Sequence, residues 1–125
     1  MNRFQGLFFI CILLTSCFQR ERDCDAFKTG KFSFSYTLDG KDYVDTFARK
    51  DSIEISYRNG SADTSSIRWI NNCEFIVRKL NPTSVSEKKA VHIKILSTTK
   101  DSYIFEYNMV GDQKNKQKGT AVKID

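Results

Sequence analysis

From Phe32 onward, apolar and polar side chains alternate with a period of two, the spacing of strands with one buried face. Phe32, Phe34, Tyr36 and Leu38 alternate with Ser33, Ser35 and Thr37. Asp39-Gly40 follows, a strong signal for a two-residue hairpin. Tyr43–Arg49 reads as the return strand, with an ambiguous inward face. Ile53, Ile55 and Tyr57 alternate with Glu54 and Ser56, and Asn59-Gly60 signals a second hairpin. Ser61–Ser65 reads as a polar loop and Ile67–Ile70 as a short strand broken at Asn71-Asn72. Cys73–Leu80 is the next strand. Asn81-Pro82-Thr83 stops it, because proline brings no amide hydrogen to a ladder. After a polar loop at Ser84–Lys89, Val91, Ile93 and Ile95 alternate with His92 and Lys94. Tyr103, Phe105, Tyr107 and Met109 alternate in the same way. Val110–Lys118 reads as a long hairpin tip and Thr120, Val122 and Ile124 as the last strand. No segment carries the spacing of a three-turn amphipathic helix. The pattern predicts an all-β domain of eight antiparallel strands in a meander. Closure into a small up-and-down barrel removes the exposed edges.

The predicted core is Phe34, Tyr36, Ile55, Trp69, Phe75, Ile93, Phe105 and Val122, with Ser35, Glu54, Arg68, Lys94 and Glu106 on the solvent face. Eight strands enclose room for side chains or for one small ligand. Large residues on short strands favour a filled interior.

The first residues follow a different pattern. Met1-Asn2-Arg3 is a short basic start, and Gly6–Leu14 is an uncharged apolar run. That is the layout of a secretory signal. The run falls short of the about 20 apolar residues that cross a bilayer. Leu14-Thr15-Ser16-Cys17 resembles the lipobox of bacterial lipoproteins. The resemblance implies cleavage after Ser16 and a diacylglycerol thioether on Cys17, with acyl chains that hold the protein at a membrane. The competing readings are an ordinary signal with a chance cysteine, and an uncleaved anchor. Residue 18 is Phe rather than Asp. In lipoprotein sorting, Asp at that place retains a protein in the inner membrane. The expectation is the bacterial outer membrane, facing the periplasm or the cell surface. The predicted organisation is a signal at 1–16, a lipidated cysteine and polar tether at 17–26, and a barrel at 27–125.

Four cysteines occur, Cys11, Cys17, Cys24 and Cys73. Cys11 leaves with the signal and Cys17 is taken by lipid. Cys24 and Cys73 remain in an oxidising compartment, where two cysteines form one disulfide. The alternative is two free thiols in the core.

The eight-strand order, the opening segment Phe27-Lys28-Thr29-Gly30-Lys31-Phe32, and Trp69 four residues before Cys73 resemble the lipocalin-like barrels of small bacterial lipoproteins.

Charge and motifs narrow the function classes. The net charge is +5, and removing Arg3 with the signal leaves +4. This mild excess does not demand nucleic acid. No phosphate loop, dinucleotide fingerprint or nucleophile elbow occurs. No catalytic residue, metal site or cofactor is predicted, and a monomer is expected. His92, the lone histidine, falls on a polar face. The carboxylates Asp45, Glu54, Glu74 and Glu106 are most simply solvent-facing. The exception to watch is Asp45. It is in line with Tyr43, Phe47 and Arg49, so an inward face would let Asp45 and Arg49 pair inside the barrel and orient a polar ligand. The aromatic set, with Tyr36, Trp69, Tyr103 and Tyr107 as polar handles, supplies a candidate lining for a small apolar ligand. The bases Lys114, Lys116 and Lys118 are candidates for contact with an anionic envelope component. Two functions follow: a non-enzymatic, membrane-anchored module that binds a small apolar ligand or an envelope partner, and an interaction or inhibitor barrel acting through its loops.

Overall fold

The computed structural model describes residues 22–125; the signal segment and Cys17 lie outside the described residues. Eight antiparallel strands follow one another: β1 (Gly30–Leu38), β2 (Lys41–Lys50), β3 (Ile53–Arg58), β4 (Ser61–Asn71), β5 (Glu74–Lys79), β6 (Val91–Thr98), β7 (Ser102–Met109) and β8 (Gln117–Lys123). Each pairs with its sequence neighbours, and β8 returns to β1, so the sheet closes into a barrel in simple meander order. Closure uses Phe32 opposite Lys123, Ser33 opposite Val122 and Phe34 opposite Ala121. The β1–β2 and β3–β4 turns are the predicted ones. Asp39 and Gly40 have φ of 51° and 75°, and Asn59 and Gly60 have 49° and 77°. Two successive left-handed residues give the turn whose twist matches that of its flanking strands.

The inward face runs through cross-strand partners, which share a side of the sheet. Phe32, Phe34 and Tyr36 of β1 oppose Phe47, Asp45 and Tyr43 of β2. The ambiguous face of β2 therefore points in, carrying Asp45 and Arg49 with it. Arg49 opposes Glu54, and Phe47 opposes Ser56. The inner face of β3 is accordingly Glu54, Ser56 and Arg58. This reverses the predicted face: Ile53 and Tyr57 are exposed on the outside, half-buried Ile55 faces out with them, and Glu54 is buried.

Two further expectations are corrected. Residues 61–65 are the first half of β4, paired with β3 from Arg58–Ser61 to Ile53–Ser66, rather than a loop. Their polar character reflects a polar interior wall at Asp63 and Ser65. In β8 the inward residues are Gly119 and Ala121, which oppose Phe105 and Tyr103, and Val122 is 39% exposed. A Cβ on Gly119 would lie 2.6 Å from Phe34 Cε2 and 2.8 Å from Phe105 Cζ. The small residues of β8 make room for the rings of its neighbours. Of the remaining predicted core, Phe75 and Phe105 are buried, and Phe34, Trp69 and Ile93 pack partly buried against the core. Tyr36 is half-buried, and Lys94 and Glu106 on the outer face are half-buried rather than free in solvent.

The core fills one end of the barrel. A short 3-10 turn at Cys24–Phe27 lies across this end, with Cys24 and Phe27 fully buried. Phe27 meets Phe32 and Tyr103 at ring distances of 6.3 and 5.2 Å. Phe75 and Ile95 complete the plug. The Cys24–Cys73 disulfide ties the turn to the β4–β5 link. Lys123 Nζ donates to the Ala26 carbonyl at 2.9 Å and fastens it from the other side.

Candidate functional site

The opposite end is not filled. Above the aromatic plug the interior opens as a cup whose floor is a buried charge cluster. Arg49 is 3% exposed and Glu54 9%. Arg49 donates through Nε and Nη2 to Glu54 Oε1 at 3.3 and 3.0 Å, through Nη1 to the Phe27 carbonyl at 2.8 Å, and through Nη2 to the Tyr103 hydroxyl at 3.1 Å. Four rings surround the guanidinium. Its Cζ lies 4.7 Å from the Phe75 centroid, 5.0 Å from Phe32, 5.3 Å from Phe47 and 6.0 Å from Tyr103. Such contacts strengthen when the cation is stripped of water. Burial disfavours the Arg49 charge, but Tyr103 and Glu54 more than offset it, and its pKa sits above the ordinary arginine value. Burial pushes the Tyr103 phenol up, against the opposing pull of Arg49.

A cavity of about 290 Å³ stands on this floor, walled by Phe34, Phe47, Val91, Ile93, Phe105 and Tyr107. Two further spaces continue toward the mouth. One, of about 300 Å³, shares Phe34 and Phe47 with the first and adds Asp45, Ser56, Arg58, Asp63, Ser65 and Lys79. The other, of about 340 Å³, shares Glu54 and Val91 and reaches Val77, Glu87 and Met109. The cup is two-sided: aromatic and aliphatic along β1, β6 and β7, hydroxylated and charged along β3 and β4. Its volume falls at the low end of small-molecule sites, which span about 300–1,000 Å³. The predicted filled interior is thus half correct, with one end packed and the other open.

Ion pairs ring the mouth. Arg58 Nη2 and Nε donate to Asp45 Oδ2 at 2.7 and 3.1 Å. Asp45 Oδ1 accepts from the Tyr36 hydroxyl at 3.3 Å, and the hydrogen bonds that Arg58 donates to Asp45 hold the Arg58 pKa above its usual value. Lys79 Nζ reaches Glu87 at 2.9 Å and Asp63 at 3.9 Å. Glu87 also accepts from the hydroxyl and the amide of Thr83; these bonds and Lys79 lower its pKa to about 2.

The predicted site residues divide accordingly. Tyr36 and Asp45 stand at the mouth, Tyr107 in the wall, and Arg49 and Tyr103 in the floor. Trp69 lies at the closed end, 4.5 Å from Phe75 with Lys28 Nζ 5.0 Å over its ring. Trp69, predicted as a lining residue, lines none of the three spaces of the cup. The anticipated Asp45–Arg49 pair is absent: Asp45 takes Arg58 and Arg49 takes Glu54. Glu54, Arg58, Asp63 and Lys79 were not legible as interior. The signal for Glu54 lay in the turn. Lys50 and Ile53 flank the two-residue link Asp51-Ser52, which sets Arg49 opposite Glu54.

Outside the barrel, His92 Nε2 lies 3.2 Å from Glu74 Oε1, and the Glu74 pKa is lowered first by Asn71 and then by His92. Among the described residues no cluster of three His, Cys, Asp or Glu side chains is arranged to hold a metal ion. No protein-family model matches the chain, and neither does any curated protein or solved structure.

Proposed function

We propose that this chain is a lipid-anchored protein of the bacterial envelope whose barrel is a non-enzymatic binding module for a small, largely apolar molecule. The observation that carries the binding half is the cavity of about 290 Å³ between the aromatic wall and the sealed floor. Burial of a ligand against Phe34, Phe105 and Tyr107 contributes about 25 cal/mol per Å² of apolar area removed from water. The anchoring half is supported by Leu14-Thr15-Ser16-Cys17 behind an uncharged apolar run. An outer-membrane site, through the lipid on Cys17, is the address this reading assigns.

Native mass spectrometry after gentle detergent extraction tests both halves. The expected result is an acylated N-terminal peptide beginning at Cys17 and a retained small molecule lost on unfolding. Cys17→Ser should abolish both processing and partition into detergent. If Cys17→Ser is processed and fractionates like the wild type, the anchor is wrong.

A second reading is favoured by the loops at the open end. Leu80, Val85 and Val110 expose 50%, 77% and 52% of their surface there. Apolar side chains at the tips of loops suit a protein partner seated over the mouth. A partner crosslinked to these loops, with no small molecule retained, would place this reading first.

A further inference from the structure

The floor of the cup carries two uncommitted hydrogen-bonding positions. Glu54 Oε1 takes both hydrogens that Arg49 gives to this carboxylate, and no hydrogen bond from a described residue reaches Oε2. No sealed-off side-chain nitrogen or oxygen among the described residues lacks a partner, so Oε2 is not sealed off, and Glu54 lines both this cavity and the space that adjoins it. The Tyr103 hydroxyl accepts from Arg49 Nη2. An arginine cannot accept in return, so the phenol hydrogen is free to be given to a ligand. Tyr103 lines the same cavity. The floor therefore offers one acceptor and one donor, both held by Arg49.

Charge selects further. Arg49 and Glu54 already neutralise each other as a buried pair on the floor of the cup. A ligand carboxylate would bring no hydrogen to Oε2 and would meet its negative charge. An ammonium would bring nothing for the phenol hydrogen to reach and would sit beside the guanidinium. Either charge would be buried without a counterion of its own, which is costly. A neutral group with both a hydrogen and a lone pair satisfies the floor completely.

Resting on the reading of the barrel as a small-molecule holder, we infer that the cup selects an uncharged amphipathic ligand, a flat apolar body ending in a single hydroxyl or carboxamide, bound with its polar end down on Glu54 and Tyr103. The body lies against Phe34, Phe105 and Tyr107.

The test is titration of the full chain with four naphthyl probes of one shape, followed by naphthyl fluorescence anisotropy: methylnaphthalene, naphthylmethanol, naphthoate and naphthylmethylammonium. Val91→Trp, which fills the space above the floor, serves as the reference for binding elsewhere. Naphthylmethanol should bind about tenfold more tightly than methylnaphthalene, as one buried hydrogen-bonded group allows. Both charged probes should bind more weakly than naphthylmethanol. Tyr103→Phe keeps the ring and removes the donor; it should erase the tenfold preference of naphthylmethanol over methylnaphthalene measured in the same variant. Equal affinities for all four probes, or a preference that survives Tyr103→Phe, would overturn the ligand class while the cup reading stands. Absence of binding to the wild type, or binding that survives Val91→Trp, would overturn the cup reading and this inference together.

Discussion

Arg49 of β2 and Glu54 of β3 face each other as a directly paired position across a two-residue turn, and their ion pair closes at 3.0 Å inside the barrel. Local chain geometry thus sets the partnership, and the surrounding rings remove it from water. Breaking one side of such a pair leaves a charge buried and costs about 3–5 kcal/mol, whereas replacing both with apolar residues is often nearly neutral. Glu54→Leu should accordingly destabilise the protein by about that amount in urea denaturation. Arg49→Met combined with Glu54→Leu should cost clearly less than the sum of the single changes. Additive losses would show that the two side chains do not depend on each other.

The disulfide acts on the closed end. Its cysteines are 49 residues apart, and the loop it closes joins the 3-10 turn under Phe27 to the barrel rim. The chain-entropy model gives about 4 kcal/mol for a loop of this length, an upper value. Cys73→Ala should lower Tm by roughly 10 °C or more. Reduction of the wild type should produce the same shift, and no shift from either would exclude a stabilising bridge.

Glu87 makes the mouth acid-sensitive. Its pKa is lowered to about 2 from 4.5, first by the Thr83 hydroxyl and next by Lys79. A carboxylate with a depressed folded pKa contributes stability that is present above its unfolded value. That contribution is lost as pH falls from about 4.5 toward 2. The β5–β6 loop should loosen over that window, read by amide exchange at Thr83–Lys89. Glu87→Gln should flatten the dependence. A carboxyl titration midpoint near 4.5 for Glu87 in the folded protein would contradict it.

Gly119 is set by contact rather than by backbone conformation. The Cβ of Gly119→Ala would strike the Phe34 and Phe105 rings and push them toward the cup. Overpacking of this kind costs about 1–3 kcal/mol. The variant should lose stability and bind naphthyl probes more weakly. Unchanged values for both would mean that the rings do not rest on β8.

Strand count, order and both tight turns were legible because they are local. Alternation marked β1 and β7, Asp39-Gly40 fixed the β1–β2 turn and Asn59-Gly60 the β3–β4 turn. Faces were legible only where the interior is apolar. In β3 the apolar alternation Ile53-Ile55-Tyr57 lies outside, since β-branched and aromatic residues suit either side of a pleated sheet. The pairing set by Asp51-Ser52 sends Glu54 and Ser56 inward instead. In β8 the inward residues are small because Phe34 and Phe105 already occupy the space, and hydrophobic alternation does not register a glycine. The cup escaped the pattern for the same reason: its polar wall of Ser56, Asp63 and Ser65 reads in sequence as surface or loop.

The face assignment of β7 gives the sharpest contrast between neighbours. Phe105 is 8% exposed and meets Phe34 at 5.5 Å and Tyr103 and Tyr107 at 5.6 Å each. Ile104, one residue earlier, points outward and is 41% exposed. Both are large and apolar, so composition cannot separate them; only the pleat does. Removal of a buried Phe side chain costs about 3–5 kcal/mol, and an exposed aliphatic one should cost less than about 1 kcal/mol. Phe105→Ala and Ile104→Ala, each made singly in the full chain and unfolded in urea, should therefore differ by at least about 2 kcal/mol. Phe105→Ala also removes part of the wall, so the cup should widen and take a larger apolar probe than the wild type accepts. Equal losses for the two variants would show that β7 is shifted by one residue. A mild Phe105→Ala with no gain in probe size would show that the wall is not where this ring stands.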